Sequence, residues 1–454
     1  MFKKNYNSRL NSFIENPKKA MWSLSIPRMM GLAVNSIYLM IDTAFIGRWI
    51  GDDGLAGIGY VFPFVFIIMG ITFGLGTGTQ TLISQHIGRK EKKLAEIAAT
   101  HCLLIGFCIT LIIIIFGLFF GKSILAFQGA YGNTLELALN YFNIIVLGSV
   151  FSILSIFFTS ILAGEGDTLL SFKLLGTGTI LNIILDPIFI IYWGIKGAAL
   201  ATVISQAIVC FCFIYLLLFK NVSYLSISFK NFKYNSLIIS NLFNLGVPPT
   251  ISFFIMSMGM FTYNSILNDH DAVAAFQTAG RIENLFFLPI FAISGSLNTL
   301  SGMFYGAKRM DLVKNIVKYG IVISTAISIM GSFFFYYLMP FIIHFFTSSE
   351  NIGFIAIQYF RIFAFAFPFV SIAICSSRIM QGLGYSIPML VITILRVIVI
   401  SCSLAWYFIN VLNLGFIFAW YATLISCIAS ACLGFVWMIR KYQIRKLEVE
   451  LISK

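Results

Sequence analysis

Residues 97–120 read IAATHCLLIGFCITLIIIIFGLFF, with no Asp, Glu, Lys or Arg among them. A helix that crosses the roughly 30 Å hydrocarbon core of a bilayer needs about 20 predominantly apolar residues. This stretch meets that requirement. Working outward, comparable runs cover 20–46, 55–84, 135–163, 168–192, 197–219, 240–267, 272–303, 316–345, 355–377, 386–408 and 414–439. The reading is an all-α integral membrane protein of twelve transmembrane helices. Composition agrees: 59% of residues are hydrophobic and only 10% charged, against about 25% charged in soluble domains. So few charges cannot cover a surface facing water, so lipid must be the solvent for much of the chain.

The net charge of +13 does not point to nucleic acid, because no polar domain carries a basic patch. The basic residues sit in short clusters between apolar runs. One side carries Lys3, Lys4, Arg9, Lys18 and Lys19, then Arg89, Lys90, Lys92 and Lys93, then Lys173, Lys220, Lys230 and Lys233. It continues with Lys308, Arg309, Lys314, Lys318 and Arg378, and ends with Arg440, Lys441, Arg445, Lys446 and Lys454. The other side has Arg48, Lys122 and Lys196, while Arg28, Arg281, Arg361 and Arg396 fall within spans. Basic loops stay in the cytoplasm, so both termini are expected there, in a multi-pass cell-membrane protein. The polar first twenty residues contain no signal-peptide core. All eight Cys lie in apolar runs without metal or disulfide spacing, and His86, His101, His270 and His344 are scattered.

The two halves repeat. One constant offset carries Asp53 onto Asp271, Ala56 onto Ala274, Gly88 onto Gly306, Gly164 onto Gly382 and Gly197 onto Gly415. A slightly longer offset carries Ile26-Pro27 onto Val247-Pro248 and Ala201-Thr202 onto Ala422-Thr423. The halves therefore form two pseudo-symmetric six-helix lobes, 20–219 and 240–439. A segment 1–19, a linker 220–239 and a tail 440–454 complete the chain, all expected in the cytoplasm. Transporters often place a site between such repeats.

Three acidic residues lie well inside spans: Asp42, Asp186 and Glu283. A buried intramembrane carboxylate is costly and marks function by default. Counted from the span ends, Asp42, Asp186 and Thr202 lie roughly 8–11 Å below the outer surface, at about 1.5 Å per residue. Asn35, Tyr38 and Asp42 share one helix face, and Asn182 and Asp186 form an i, i+4 pair. Pro187 cannot donate to the carbonyl of Ile183 and should kink its helix. Hard oxygen ligands suit a small cation; two close carboxyls can instead hold a proton. Both Na+ and H+ stay open. Gln277, Arg281 and Asn284 form a polar stripe on one face of span 272–303, a candidate cavity wall together with Asn35, Tyr38 and Glu283.

Three motif matches carry no chemistry. Gly74-Leu-Gly-Thr-Gly78 lacks a phosphate loop's lysine and βαβ setting, and its small residues suit helix packing. Gly164-Glu-Gly-Asp167 matches an intramembrane aspartyl protease, but its repeat mate Gly382-Leu-Gly-Tyr385 has no acid. Cys210 and Cys212 form a lone pair within a span.

Several segments carry a family resemblance: Ile26-Pro27, Ile41-Asp-Thr-Ala-Phe-Ile-Gly47, Gly74 to Gly88, Gly164-Glu-Gly-Asp-Thr168, Asn182-Ile-Ile-Leu-Asp-Pro187 and Gly197-Ala-Ala-Leu-Ala-Thr-Val-Ile-Ser205. On these the chain resembles the multidrug and toxic compound extrusion (MATE) family, in its prokaryotic damage-inducible branch, over residues 15–440. The resemblance implies two six-helix lobes, alternating access, and export of amphipathic, often cationic compounds driven by H+ or Na+. It implies a cation site at Asp42, Asn182, Asp186 and Thr202. Another branch uses an Asp in the tenth span, and Tyr359 to Ser377 has none.

The expected function is cation-coupled export of small molecules by a monomer in the lipid bilayer, with no cofactor beyond H+ or Na+, no metal beyond Na+, no nucleic-acid partner and no enzymatic activity. A flippase for lipids or lipid-linked sugars, of the same superfamily, is the alternative. Orientation is directly testable. A cysteine at Asp52 should label with an impermeant thiol reagent in intact cells, and a cysteine at Lys92 should label only after permeabilisation. Labelling of Lys92→Cys from outside would overturn the topology.

Overall fold

The computed structural model describes residues 6–229, 232–343 and 349–453. Of the residues named from the sequence, Lys3, Lys4, Lys230, His344 and Lys454 lie outside the described residues, as does the side chain of Asp52. Among the described residues every regular element is helical. The first half contains α1 (Tyr6–Glu15), α2 (Pro17–Trp49), α3 (Asp52–Gly88), α4 (Lys92–Phe127), α5 (Gly132–Glu165) and α6 (Thr168–Ile214). The second contains α7 (Ser236–Leu267), α8 (His270–Gly306), α9 (Met310–Tyr337), α10 (Met339–Ile342), α11 (Glu350–Gly382), α12 (Ile387–Ile394), α13 (Ser403–Trp406) and α14 (Ile417–Ser453). Helical turns of π type extend α6 to Phe219 and join α12 and α13 into one run ending at Val411.

Among the described residues, eleven of these runs are long and apolar enough to cross a membrane. One of them, Thr168–Phe219, has 52 residues, about 78 Å at about 1.5 Å per residue, more than twice a hydrocarbon core. It breaks at Gly194, where φ is 56° and ψ −135°, a conformation that favours glycine. Counted on either side of Gly194, the spans number twelve.

The opening stretch shows what solvates the fold. Along α4, Ile112, Ile115, Phe116, Phe119 and Phe120 are all exposed, Phe119 to 79%. They recur at i, i+3, i+4, i+7 and i+8, one continuous helical stripe. The opposite face is mostly small: Gly106, Thr110, Gly117 and Gly121 are buried, with Ile113 among them. Small residues let helix backbones approach closely where lipid offers no hydrophobic drive for association. Phe157, Val146 and Phe142 of α5 fill the space left by Gly106, Gly117 and Gly121.

The repeat is visible as geometry. Asn133 donates to Asp53, at 2.9 Å, and Asn351 donates to Asp271, the repeat counterpart of Asp53. Gly164 lies against the carbonyl of Gln80, and Gly382 against that of Asn298, the counterparts of both under the same offset. Lys90 and Lys308 both hold positive φ, at 62° and 58°. The same backbone solution is thus built twice.

The chain divides into two compact units. One comprises Met1–Arg9 and Met30–Gly246, the other Leu10–Met29 and Val247–Lys454. Residues 10–29 join the second unit because Ser25 Oγ donates to Ser296 Oγ at 2.9 Å and Trp22 Nε1 to Tyr319 Oη at 3.1 Å. The linker after α6 joins the first unit. Glu165 accepts from the Ser223 hydroxyl and from the backbone N–H of Tyr224 and Leu225, while Glu96 accepts from Ser226 N at 2.9 Å. Helix ends shift from the sequence reading at several places, two of them with a clear outcome. Span 316–345 ends at Tyr337 because Pro340 opens the short α10 and cannot continue α9's hydrogen bonding. The tail after residue 440 continues α14 as helix to Ser453.

Packing at the small face generates a test. Gly121→Val would drive a side chain into the Phe142 ring. It should cost about 1–3 kcal/mol, as overpacking does, and lower the melting temperature in detergent. Ile115→Val, on the lipid stripe, should stay within about 0.5 kcal/mol.

Candidate functional site

Asp42 lies on α2, and Asn182 and Asp186 lie on α6 ahead of Gly194, with Thr202 after it. The reversal at Gly194 returns α6 beside itself, which brings Thr202 toward the pair one segment earlier. Asp42 is 8% exposed and Asp186 0%. Their carboxyl groups stand within hydrogen-bonding reach of one another. Asn182 Nδ2 donates to Asp186 Oδ1 at 3.2 Å. Tyr38 Oη and Thr202 Oγ1 share a hydrogen bond at 3.3 Å, and Thr202 Oγ1 donates to the Ala198 carbonyl.

What is left over defines the chemistry. Asp42 Oδ1, Asn182 Oδ1 and Asp186 Oδ2 are buried acceptors without a hydrogen-bond partner. Buried polar atoms are almost always paired, so one orphaned oxygen on each of two facing carboxyls, with a third on Asn182, forms an unusual group. Two such carboxylates cannot both stay ionised in a low-dielectric site without a neutralising charge. A shared proton satisfies them, and so does a small hard cation on the carboxylate and amide oxygens. Among the described residues no group of three or more His, Cys, Asp or Glu could hold a metal ion.

Tyr141 escapes the sequence reading. It is buried on α5, within electrostatic reach of Asp42, Asp186 and Tyr38. The repeat is the signal that could find it, since Tyr359 is its counterpart in the second half. Asn35 is exposed.

In the second half the polar stripe does not act as one group. Gln277 is half-buried, while Arg281 and Asn284 are exposed, and Asn284 Nδ2 donates to its own helix at Gly280. Glu283 turns instead to the Tyr359 hydroxyl, with Arg396 in electrostatic reach. Tyr263 donates to the Ala419 carbonyl at 2.6 Å and bonds Thr423 Oγ1 at 2.8 Å. Tyr263 occupies the position of Asp42 in the repeat, Thr423 that of Thr202 and Tyr359 that of Tyr141. The hydroxyl partners persist and the carboxyl pair does not. Glu283 Oε1 and the Trp420 indole N–H are both buried without a partner. A pocket of roughly 300 Å³ nearby is lined by Ile282, Leu285, Phe286, Phe334 and Ile342, all apolar.

The rejected motifs are spent on structure. Glu165 holds the linker, and Asp167 accepts from Arg9 at 2.8 Å and caps α6 at Leu170 N. Gly78 and Gly246 cross so closely that a Cβ on Gly78 would meet Gly246 N at 2.7 Å. All eight cysteines are free.

The family described as MatE matches residues 27–188 and again 248–407. The chain belongs to the MatE family. Its two matched segments begin at Pro27 and at Pro248, the prolines that the repeat already relates. Among the relatives of this MatE chain is the "Probable multidrug resistance protein YoeA" of Bacillus subtilis (strain 168), 26% identical over 65% of this chain and 66% of the relative. The "Multidrug export protein MepA" of Staphylococcus aureus (strain MRSA252) is 32% identical over 55% of each chain. The chain thus spans between about half and two thirds of the length of these curated relatives. A solved MOP superfamily transporter from Pyrococcus furiosus aligns with TM-score 0.91 and 29% identity, covering 95% of this chain and 97% of that one.

The partner assigned to Glu283 can be checked. Tyr359→Phe leaves the carboxyl without its hydroxyl and should cost about 1–3 kcal/mol, read as a fall in melting temperature. Arg281→Gln, at an exposed position, should stay within about 0.5 kcal/mol. An equal fall for both would overturn the assignment.

Proposed function

We propose that this MatE chain exports amphipathic, chiefly cationic small molecules from the cell by alternating access, coupled to inward movement of H+ or Na+. It works as a monomer in the cell membrane with both termini cytoplasmic. The carrying observation is the pair of facing carboxyls, Asp42 and Asp186, each with an orphaned oxygen and with that of Asn182 beside them. Its relatives are named for multidrug resistance and export, which supports export over lipid flipping.

Asp42 and Asp186 repel when both are ionised and can close on each other once a positive charge neutralises them. Asp42 is on α2, Asp186 on α6, so the state of the pair changes how these two helices pack. The outer part of α2 sits in the first unit and the part before Met30 in the second. A helix divided in this way, with Pro27 inside it, is placed to pass a local repacking along its length. Coupling requires that the ion favour one conformation, because a ligand of equal affinity for both shifts nothing. Asn182 holds Asp186 in position, and Tyr38 holds Thr202. Broad substrate choice follows from apolar contact, which is non-directional.

Asp42→Asn and Asp186→Asn keep shape and remove charge. Either should abolish efflux of a fluorescent organic cation from proteoliposomes while expression and melting behaviour survive. Imposing Na+ and pH gradients separately identifies the driving ion. Transport that survives in the double variant would sink the mechanism.

A further inference from the structure

We infer that the second unit holds an oxyanion-binding site between Arg28 and Arg378, shaped for a carboxylate or phosphate group. Arg28 lies eleven residues into α2, about 16 Å along a helix rising about 1.5 Å per residue. Its guanidinium lies on Gly295 of α8, where a Cβ would collide with it. Arg378 lies on α11 one turn before Gly382, which packs on Asn298 and Ser301 of the same α8. Both side chains therefore converge on one short stretch of α8, and the two guanidiniums feel each other's charge.

No carboxylate answers them. Among the described residues of this unit the ion pairs join His270 to Asp271, Arg309 to Asp311, Arg445 to Glu448 and Lys446 to Glu450. Neither Arg28 nor Arg378 takes part. Glu283, on the same α8, is twelve residues from Gly295, about 18 Å along the helix, and turns to Tyr359. Arg378 Nη1 donates to Gln381 Oε1 at 2.9 Å, a neutral partner that leaves the double positive charge intact. The neighbouring hydroxyls are committed elsewhere, Ser25 Oγ donating to Ser296 Oγ and Ser296 Oγ to the Ala292 carbonyl, so the two guanidiniums supply the donors. Two adjacent cations in a low-dielectric setting repel strongly. Both residues are partly exposed, so a ligand can reach them. Guanidinium forks match carboxylate and phosphate oxygens in a bidentate way. The group comes either from a free anion or from a lipid headgroup.

The test uses the purified full chain and inorganic phosphate, titrated against its melting temperature at constant ionic strength with chloride as the balancing anion. Phosphate should raise the melting temperature of the parent protein saturably, beyond the chloride control. Arg28→Gln and Arg378→Gln should each weaken the response at least tenfold, and Lys122→Gln should leave it unchanged. In phosphate-free buffer both arginine variants should melt no lower than the parent, because each removes a repulsion; a purely structural arginine would do the opposite. Repeating the titration in phosphatidylcholine vesicles with and without phosphatidylglycerol separates the sources. Loss of the phosphate response with phosphatidylglycerol points to a headgroup, and its persistence to a free anion. Absence of any shift beyond chloride in detergent, or a response retained in both arginine variants, overturns the site.

Discussion

Asp42 and Asp186 face each other in surroundings that cannot solvate two negative charges. Much of the first unit can be read as what holds that arrangement. The break at Gly194 lets one long apolar segment cross twice and bring Thr202 back toward Asp186. The i, i+4 spacing of Asn182 and Asp186 supplies one internal donor and no more, so the pair stays short of satisfied. Close packing of α4 on α5 through Gly106, Gly117 and Gly121 fixes the helix that carries Tyr141. Removing the charges would leave the architecture standing, because lipid-facing stripes and small-residue seams stabilise it independently.

The spans and the repeat are legible in the sequence because both are written in simple patterns. Apolar length is read directly from an uncharged run such as 97–120, and duplication shows at glycines and turn positions where backbone geometry tolerates few substitutes. The convergence of Asp42, Asn182 and Asp186 is legible because intramembrane acids are rare and topology fixes their depth. Tyr141 is not, since one tyrosine among many aromatic residues carries no local signal. The partner of Glu283 is hidden for a different reason. Arg281 lies nearest in sequence, but two residues apart on a helix point to different faces, so the carboxyl meets Tyr359 from another helix instead. Boundaries at chain ends are also hidden: polar residues after 440 continue α14, because hydrophobicity reports lipid contact and not helix length.

The two halves share backbone solutions but differ in charge. Asn133 with Asp53 and Asn351 with Asp271 make the same bond in each, outside the membrane-buried centre. At the centre Tyr263 stands where Asp42 does, and its hydroxyl is fully used by Ala419 and Thr423. The frame is common to both halves, and the facing carboxyl pair belongs to one.

The contacts of the linker and of the first helix carry opposite implications for the order of synthesis. Glu96, His101 and Glu165 all precede the linker that they hold, with His101 accepting from Asn235 N. Domains fold as units and the N-terminal one first during translation, so the first unit can close this seam before α8 has left the ribosome. Trp22 and Ser25 are made early and bond to Tyr319 and Ser296, which are made late. The beginning of α2 must therefore wait, inserted but without its partners, until the second half arrives.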